Sequence, residues 1–212
     1  MLTLKIIVGS TRPGRAADRV IPWIVTRTQN HPAFDVEVLD LRDWLLPFFA
    51  EDFQTIGDPK DPTYSDPIVK RWNGRIADGD VFIFVTPEYN HSVPGVLKNA
   101  IDSVFVSFGF RNKAAAFVSY AGGIAGGVRA IEHLAHIAIE AEMVPLRGSV
   151  VLQFVGTAFD ADGEPTNSQT EIAAAIMLDD LEWWGAALQK AHAEKQLPPA
   201  GFRMRAAMRK PE

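Results

Sequence analysis

The chain has 212 residues, of which 47% are hydrophobic, and this combination is typical of one globular domain with a sizeable core. Its formal net charge of -5 gives no general reason to expect nucleic acid as a partner. The absence of cysteine excludes disulfides, thiolate metal ligands and a cysteine nucleophile. No stretch resembles a signal peptide or a membrane span, so we expect a cytoplasmic protein that binds no membrane.

The first predicted elements are a buried strand at residues 2–8 and a helix whose apolar residues recur between 16 and 24. The loop between them, residues 9–15, reads G-S-T-R-P-G-R. The amides at a helix N-terminus favour an anion, the loop hydroxyls add donors, and Arg12 and Arg15 can fork onto phosphate oxygens. The loop therefore predicts a phosphate site; the alternative is an ordinary turn with solvated arginines.

This loop has the glycine spacing of the triphosphate-binding P-loop but lacks its other residues. Gly9 and Gly14 fit G-x-x-x-x-G, whereas Arg15 and Ala16 stand where that motif needs Lys and then Ser or Thr. Without the hydroxyl that binds magnesium, a single terminal phosphate fits better than a triphosphate. The dinucleotide fingerprint G-x-G-x-x-G is also absent from this turn.

The next part of the chain combines a regular strand with an irregular connection. Alternating apolar and polar residues predict a second strand at 34–39. Residues 41–67 contain four prolines and five aromatic residues, which predicts an irregular excursion that either covers a site or packs on the core. Pro67 then begins a predicted helix that runs to about Asp78.

Two strand-loop-helix units follow. The apolar run at 81–85 predicts a central parallel strand, and T-P-E-Y-N at 86–90 follows its carboxyl end, where open α/β sheets bind ligands. Residues 114–118 predict another strand, which leads into a glycine-rich loop at 119–127. Glycines there would let a flat ligand approach the backbone, although a turn that only needs unusual backbone angles explains the loop equally well.

A last strand at 144–155 and a last helix at 172–191 complete five alternating pairs. This alternation predicts an α/β fold with a doubly wound parallel sheet. We expect a single domain over residues 1–192 and a basic C-terminal tail over 193–212, with five basic against two acidic residues. Such a tail is either solvated or grips a neighbouring subunit.

Together these motifs resemble the NADPH-dependent FMN reductase family of flavodoxin-like proteins over roughly residues 2–155. The most specific part is residues 86–102, T-P-E-Y-N-H-S-V-P-G-V-L-K-N-A-I-D. The resemblance implies a flavodoxin-like five-stranded parallel sheet in the order 2-1-3-4-5, with helices on both faces and with FMN as cofactor. By this resemblance, the FMN phosphate is held by Ser10, Arg12 and Arg15. The isoalloxazine edge is lined by Pro87, Glu88, Tyr89 and Asn90, and the ring is bordered from the other loop by Ser119, Tyr120, Gly122 and Gly123.

The implied activity is an FMN-dependent oxidoreductase that takes hydride from NADPH or NADH and passes it, by a ping-pong mechanism, to a flavin, quinone, azo or similar acceptor. FMN carries this chemistry, so we name no catalytic residue and expect no metal. His133, His136 and Glu140 have the helical spacing of a metal site, but the H-E-x-x-H motif is absent. His91, beside the flavin segment, either touches substrate or is a surface hydrogen-bonding residue.

Two other classes remain open: a non-catalytic FMN-binding electron carrier or interaction module, and a phosphate-binding enzyme without flavin, such as a nucleotide hydrolase. By the resemblance, Ser103 stands where relatives often carry an aromatic residue, at a position that faces a subunit contact in related proteins. We expect a homodimer, with a homotetramer as the alternative, because one small domain does not readily cover the apolar cluster after the third helix. That cluster consists of Val104, Phe105, Val106, Phe108 and Phe110.

Overall fold

Five apolar segments form the parallel strands of one sheet in the computed structural model, which describes residues 1–58 and 63–209. The strands are β1 (Leu2–Val8), β2 (Phe34–Asp40), β3 (Val81–Pro87), β4 (Ala114–Tyr120) and β5 (Val144–Leu152). Their order is β2-β1-β3-β4-β5, and every neighbouring pair is parallel. Each residue of β3 and β4 is buried, as expected for central strands covered on both faces. The predicted strand order is therefore confirmed.

Six α-helices connect or follow these strands within the described residues. They are α1 (Ala17–Gln29), α2 (Pro67–Ala77), α3 (Gly95–Asp102), α4 (Val128–Glu140), α5 (Ser168–Glu194) and α6 (Ala200–Met208). The apolar sides of α1 and α5 pack on one face of the sheet, and those of α2, α3 and α4 pack on the other. Helices on both faces are thus confirmed, and no helix among the described residues is long and apolar enough to cross a bilayer.

Strand alternation decides which layer each side chain enters, because successive residues of a strand point to opposite faces. At the end of β4, Tyr120 joins the core shared with α1 and α5. Its neighbour Ser119 faces the loop that begins α4, where its hydroxyl donates to the Gly126 carbonyl. This difference between adjacent residues matters for the site described below.

The C-terminal part of the chain, for which the sequence predicts a basic tail, contains helical structure. Helix α5 continues to Glu194, two residues beyond the predicted boundary at 192, and α6 occupies part of the tail. The ring of Phe202 in α6 lies 5.6 Å from that of Phe108 and 6.2 Å from that of Phe53, and Arg111 donates to the Pro198 carbonyl at 3.0 Å. Residues 210–212 of the predicted tail lie outside the described residues.

The apolar cluster after α3 is mostly covered by the chain itself. Val104, Val106 and Phe110 are buried, whereas Phe105 is exposed. The ring of Phe110 lies 5.1 Å from that of Phe82 on β3 in an edge-on contact. The expectation that one domain leaves this cluster uncovered is therefore wrong for these three buried residues.

Candidate functional site

The loops that follow β1, β3 and β4 meet at the carboxyl edge of the sheet because these three strands are neighbours. The amide of Gly9 donates to the Val85 carbonyl at 2.8 Å, so the first loop leaves the sheet beside β3. An added Cβ on Gly9 would lie 2.8 Å from Cδ2 of Leu97 in α3. Glycine at this position therefore permits close packing of the first loop on α3.

Ser10 and Arg12 of the first loop both contact Tyr89 of the second. Ser10 is fully buried, and its hydroxyl lies 2.9 Å from the Tyr89 hydroxyl. The exposed Arg12 side chain places its guanidinium carbon 5.6 Å from the centre of the Tyr89 ring. Hydroxyl groups and a cation thus converge where the sequence predicts the phosphate.

Arg15 takes a different position, inside the protein. Its Nε donates to Asp18 at 2.9 Å, its two terminal nitrogens bind both carboxylate oxygens of Asp40, and one of them also donates to the Ser10 carbonyl. These bonds use four of its five N–H groups. The hydrogen bond with Asp40 raises the pKa of the Arg15 guanidinium despite its burial. Arg15 therefore braces the loop backbone, and its predicted contact with phosphate would have to come from the one remaining N–H.

The bond between Arg15 and Asp40 also changes the pKa of the Asp40 carboxyl group. Burial alone would raise the pKa of Asp40, but hydrogen bonds from Arg15 and from the Arg42 backbone hold it below its ordinary value. Sequence reasoning missed Asp40. The only signal is its position as the last residue of β2, which pairs with β1 just before the loop.

The second loop forms a tight hairpin. The amide of Tyr89 donates to the Ser92 carbonyl at 2.9 Å, and the reverse bond is 3.1 Å. The two residues between them, Asn90 and His91, have positive φ values of 48° and 71°. Both central residues are left-handed, as in a type I′ turn, and the turn leaves Asn90 and His91 exposed at the surface.

Two side chains of α4 hold this hairpin from outside. The Glu88 side chain is only 6% exposed and forms an ion pair with Arg129. The Ser92 hydroxyl lies 2.9 Å from Nδ1 of His133. Glu88 is thus a structural residue rather than a solvent-facing one. Sequence reasoning missed Arg129 and considered His133 only as a metal ligand.

No group of three or more His, Asp or Glu side chains is arranged to hold a metal ion within residues 1–58 and 63–209. His136 and Glu140 instead border an apolar cavity of about 290 Å³ between α3 and α4. The helical spacing of His133, His136 and Glu140 therefore does not produce a metal site in this structure.

The third loop combines one tightly packed part with one open part. Gly127 has a φ of 91°, and an added Cβ would lie only 2.8 Å from Cβ of Ser119. Gly122 and Gly123 are exposed, and nothing lies within 4 Å of the place where their Cβ atoms would be. A flat ligand can therefore approach the backbone at these two glycines without displacing protein atoms.

Tyr120 lies beneath the first loop rather than in the third. The residue is 3% exposed, and its hydroxyl is buried with no hydrogen-bond partner among the described residues. Burial and the nearby Tyr89 raise the pKa of the Tyr120 hydroxyl, while the Ser10 hydroxyl and Arg15 act in the opposite direction. The phenol therefore keeps its proton at neutral pH and can act as a hydrogen-bond donor near Ser10.

The irregular excursion both packs on the core and borders the site. The ring of Trp44 lies 5.1 Å from that of Trp72, in the layer of α2. Leu45 and Phe48 are 83% and 91% exposed and line a groove of about 540 Å³ with Thr11 and the beginning of α3. Pro59 and Pro62 of the predicted excursion lie outside the described residues.

The strand order and the three convergent loops define a flavodoxin-like protein. Residues 2–156 match the NADPH-dependent FMN reductase family, and the chain belongs to this family. This confirms the resemblance based on the sequence motifs.

Individual relatives agree with this assignment. The chain is 33% identical over 133 residues to an NAD(P)H-dependent FMN reductase of Schizosaccharomyces pombe, an alignment that covers 63% of this chain and 64% of that protein. It is 32% identical over 156 residues to an NAD(P)H-dependent FMN reductase of Pseudomonas aeruginosa, covering 72% and 80%. The flavoenzyme NAD(P)H:(acceptor) oxidoreductase FerB of Paracoccus denitrificans shares the fold, with a TM-score of 0.71, 23% identity and coverage of 88% and 98%.

Proposed function

We propose that this protein is an FMN-dependent oxidoreductase that takes hydride from NADPH or NADH and passes it to a small-molecule acceptor. The observation that carries the proposal is the convergence, in a member of this family, of a donor-rich first loop and an open glycine backbone at one sheet edge. When bound, FMN supplies the hydride chemistry, and the residues of the chain bind it, orient it and exclude water.

The residues present fit this cofactor. Ser10, Arg12 and the N-terminus of α1 would hold its phosphate, because they offer hydroxyl, guanidinium and amide donors. The backbone of residues 87–90 would line one edge of the isoalloxazine, and that of residues 119–123 would border the ring. Arg15 would contribute chiefly by holding the first loop in shape, which refines the predicted set of phosphate ligands.

We further propose a ping-pong cycle in which the reduced nicotinamide leaves before a quinone, flavin, azo compound or similar acceptor arrives. The protein is proposed to be a cytoplasmic homodimer, with a domain at 1–192 and a basic tail at 193–212. Support for a dimer comes from exposed apolar residues beside the ring-binding loop. Ile124 and Val128 are exposed there, and so is Phe154, whose amide donates to the Gly123 carbonyl at 3.3 Å.

The test is direct. Purified protein should show flavin absorbance, or the apoprotein should bind added FMN, and absence of both would refute the proposal. Steady-state NADPH oxidation with a panel of acceptors should give parallel double-reciprocal lines for a ping-pong cycle. If FMN binds but every acceptor gives negligible turnover, the chain is an electron carrier instead.

A further inference from the structure

Ser10, Tyr89 and Tyr120 bring three hydroxyl groups into one region of the protein, because Ser10 bonds to Tyr89 and both residues influence the pKa of the Tyr120 hydroxyl. The Ser10 and Tyr89 hydroxyls are 2.9 Å apart, and either can donate. The Tyr120 hydroxyl, on the neighbouring strand β4, is buried and makes no hydrogen bond with the described residues. A buried polar group without a partner is costly and therefore calls for an explanation.

This cluster holds more hydroxyl protons than its one hydrogen bond uses. Each hydroxyl carries one proton, and the bond between Ser10 and Tyr89 uses only one of the three. The two cations nearby are also donors, since Arg12 lies over the Tyr89 ring and Arg15 binds the Ser10 carbonyl, while the Asp18 carboxylate already accepts from Arg15. A phosphate monoester brings oxygens that only accept hydrogen bonds, so it would balance the cluster.

We propose that Tyr120 is a positioning residue for a phosphate group: its hydroxyl donates to Ser10 and turns the Ser10 proton towards the anion. This inference rests on the proposed FMN site and adds a residue that acts through another rather than by contact with the ring. Its placement follows from strand alternation, which sends Tyr120 to the α1 side of the sheet, under the loop.

The chain provides a matched control. It has three tyrosines, and Tyr64 also has a buried hydroxyl without a hydrogen-bond partner among residues 1–58 and 63–209. Tyr64 lies in a different part of the fold, where Ser107 and Glu51 influence its pKa. Tyr120→Phe and Tyr64→Phe therefore each remove one buried phenol oxygen, but only the first lies beneath the proposed phosphate site.

The experiment compares the affinities of the apoproteins for FMN and for riboflavin, which lacks the phosphate. Tyr120→Phe should weaken FMN binding about fivefold, the factor supplied by one hydrogen bond of typical net strength, and leave riboflavin binding unchanged. Tyr64→Phe should change neither affinity. Because Tyr120 acts through Ser10, adding Tyr120→Phe to Ser10→Ala should cause no further loss.

The outcomes separate this inference from the proposed function. If the wild-type protein binds neither flavin, the FMN site itself is refuted. If it prefers FMN and Tyr120→Phe keeps the full preference, only the role of Tyr120 is refuted. An equal loss of FMN and riboflavin affinity would assign Tyr120 to packing alone and would also overturn the inference.

A measurement on the wild-type chain covers the case in which Tyr120→Phe does not fold. Tyrosine labelled with ¹³C at Cζ gives one resonance for each of the three residues, and Tyr64→Phe and Tyr89→Phe identify the Tyr120 signal by elimination. That signal should shift on addition of FMN or inorganic phosphate but not of riboflavin. A Tyr120 signal that does not respond to either phosphate compound would refute the inference.

Discussion

The two arginines of the first loop should behave differently when each is replaced by methionine. Arg15 is buried and paired with Asp40 and Asp18, whereas Arg12 is exposed over the Tyr89 ring. Arg15→Met leaves the Asp40 carboxylate, 22% exposed, without its main partner. We therefore expect Arg15→Met to affect mainly stability and Arg12→Met to affect mainly FMN binding.

The magnitude follows from the burial of the ion pair. Removing one partner of a buried pair costs about 3–5 kcal/mol, and the partial exposure of Asp40 places this case near the lower end, at about 3 kcal/mol. For a domain of this size each kcal/mol shifts the melting temperature by about 2–4 °C, so Arg15→Met should melt about 6–12 °C lower. Arg12→Met loses an exposed cation–π contact and should cost no more than about 1 kcal/mol.

The pH dependence gives an independent check. Because the pKa of Asp40 is lowered in the folded state, its contribution to stability is present above its unfolded pKa and is lost as the pH falls through the folded pKa. The free-energy difference between wild type and Arg15→Met should therefore be largest near neutral pH and shrink in acid. The assay is urea unfolding of both apoproteins across pH 3–7, with flavin affinities measured at neutral pH. An Arg15→Met protein as stable as wild type, or an Arg12→Met protein destabilised by a similar amount, would refute the reasoning.

Three further predictions test the other loops and the far end of the sheet. Gly127→Ala should destabilise the apoprotein by about 2–4 kcal/mol, because Gly127 has a positive φ and its added Cβ would lie 2.8 Å from Cβ of Ser119 on β4. Gly122→Ala should instead leave the stability in urea unchanged and weaken flavin binding. Arg129→Met should lower the free energy of unfolding by about 2–3 kcal/mol in thermal unfolding, because it leaves the Glu88 carboxylate buried without a cation. Adding Glu88→Gln should recover part of that loss, and no recovery would contradict this explanation. Burial lowers the pKa of Lys113 from 10.5 to about 8. Between pH 8 and pH 10.5 the Lys113 amine is protonated in the unfolded chain but not in the folded protein, so the stability of the wild type should rise with pH relative to that of Lys113→Met. A stability difference between the two proteins that does not depend on pH would show that the pKa of Lys113 is not lowered.

Much of the fold could be read from periodicity because a parallel sheet has a strong local signal. The fully apolar runs at β3 and β4 require cover on both faces, and their alternation with amphipathic helices leaves few topologies. The loops after β1, β3 and β4 then had to meet, because strand order places those strands side by side. Family membership followed from the spacing and identity of residues in these loops.

The less predictable features depend on partners that are distant in sequence. The sequence predicted that Tyr120 borders the ring with the rest of its loop, yet the pleat turns its side chain to the opposite layer. The Glu88 carboxylate is buried against Arg129, which lies 41 residues further along the chain. Neither contact has a sequence motif, because a charged residue on α4 looks the same whether it faces water or the hairpin.

By itself, the sequence determined the alternation of strands and helices through local periodicity and the family through contiguous motifs, and the family resemblance then implied the strand order. Only the tertiary structure decided between the two arginines of the first loop. They are three residues apart and chemically identical, but the end of β2 places Asp40 beside Arg15 and leaves Arg12 in solvent. A guanidinium stays charged when buried and is stabilised there by a carboxylate, so the position of Asp40 determines which arginine braces the loop and which remains free for a phosphate.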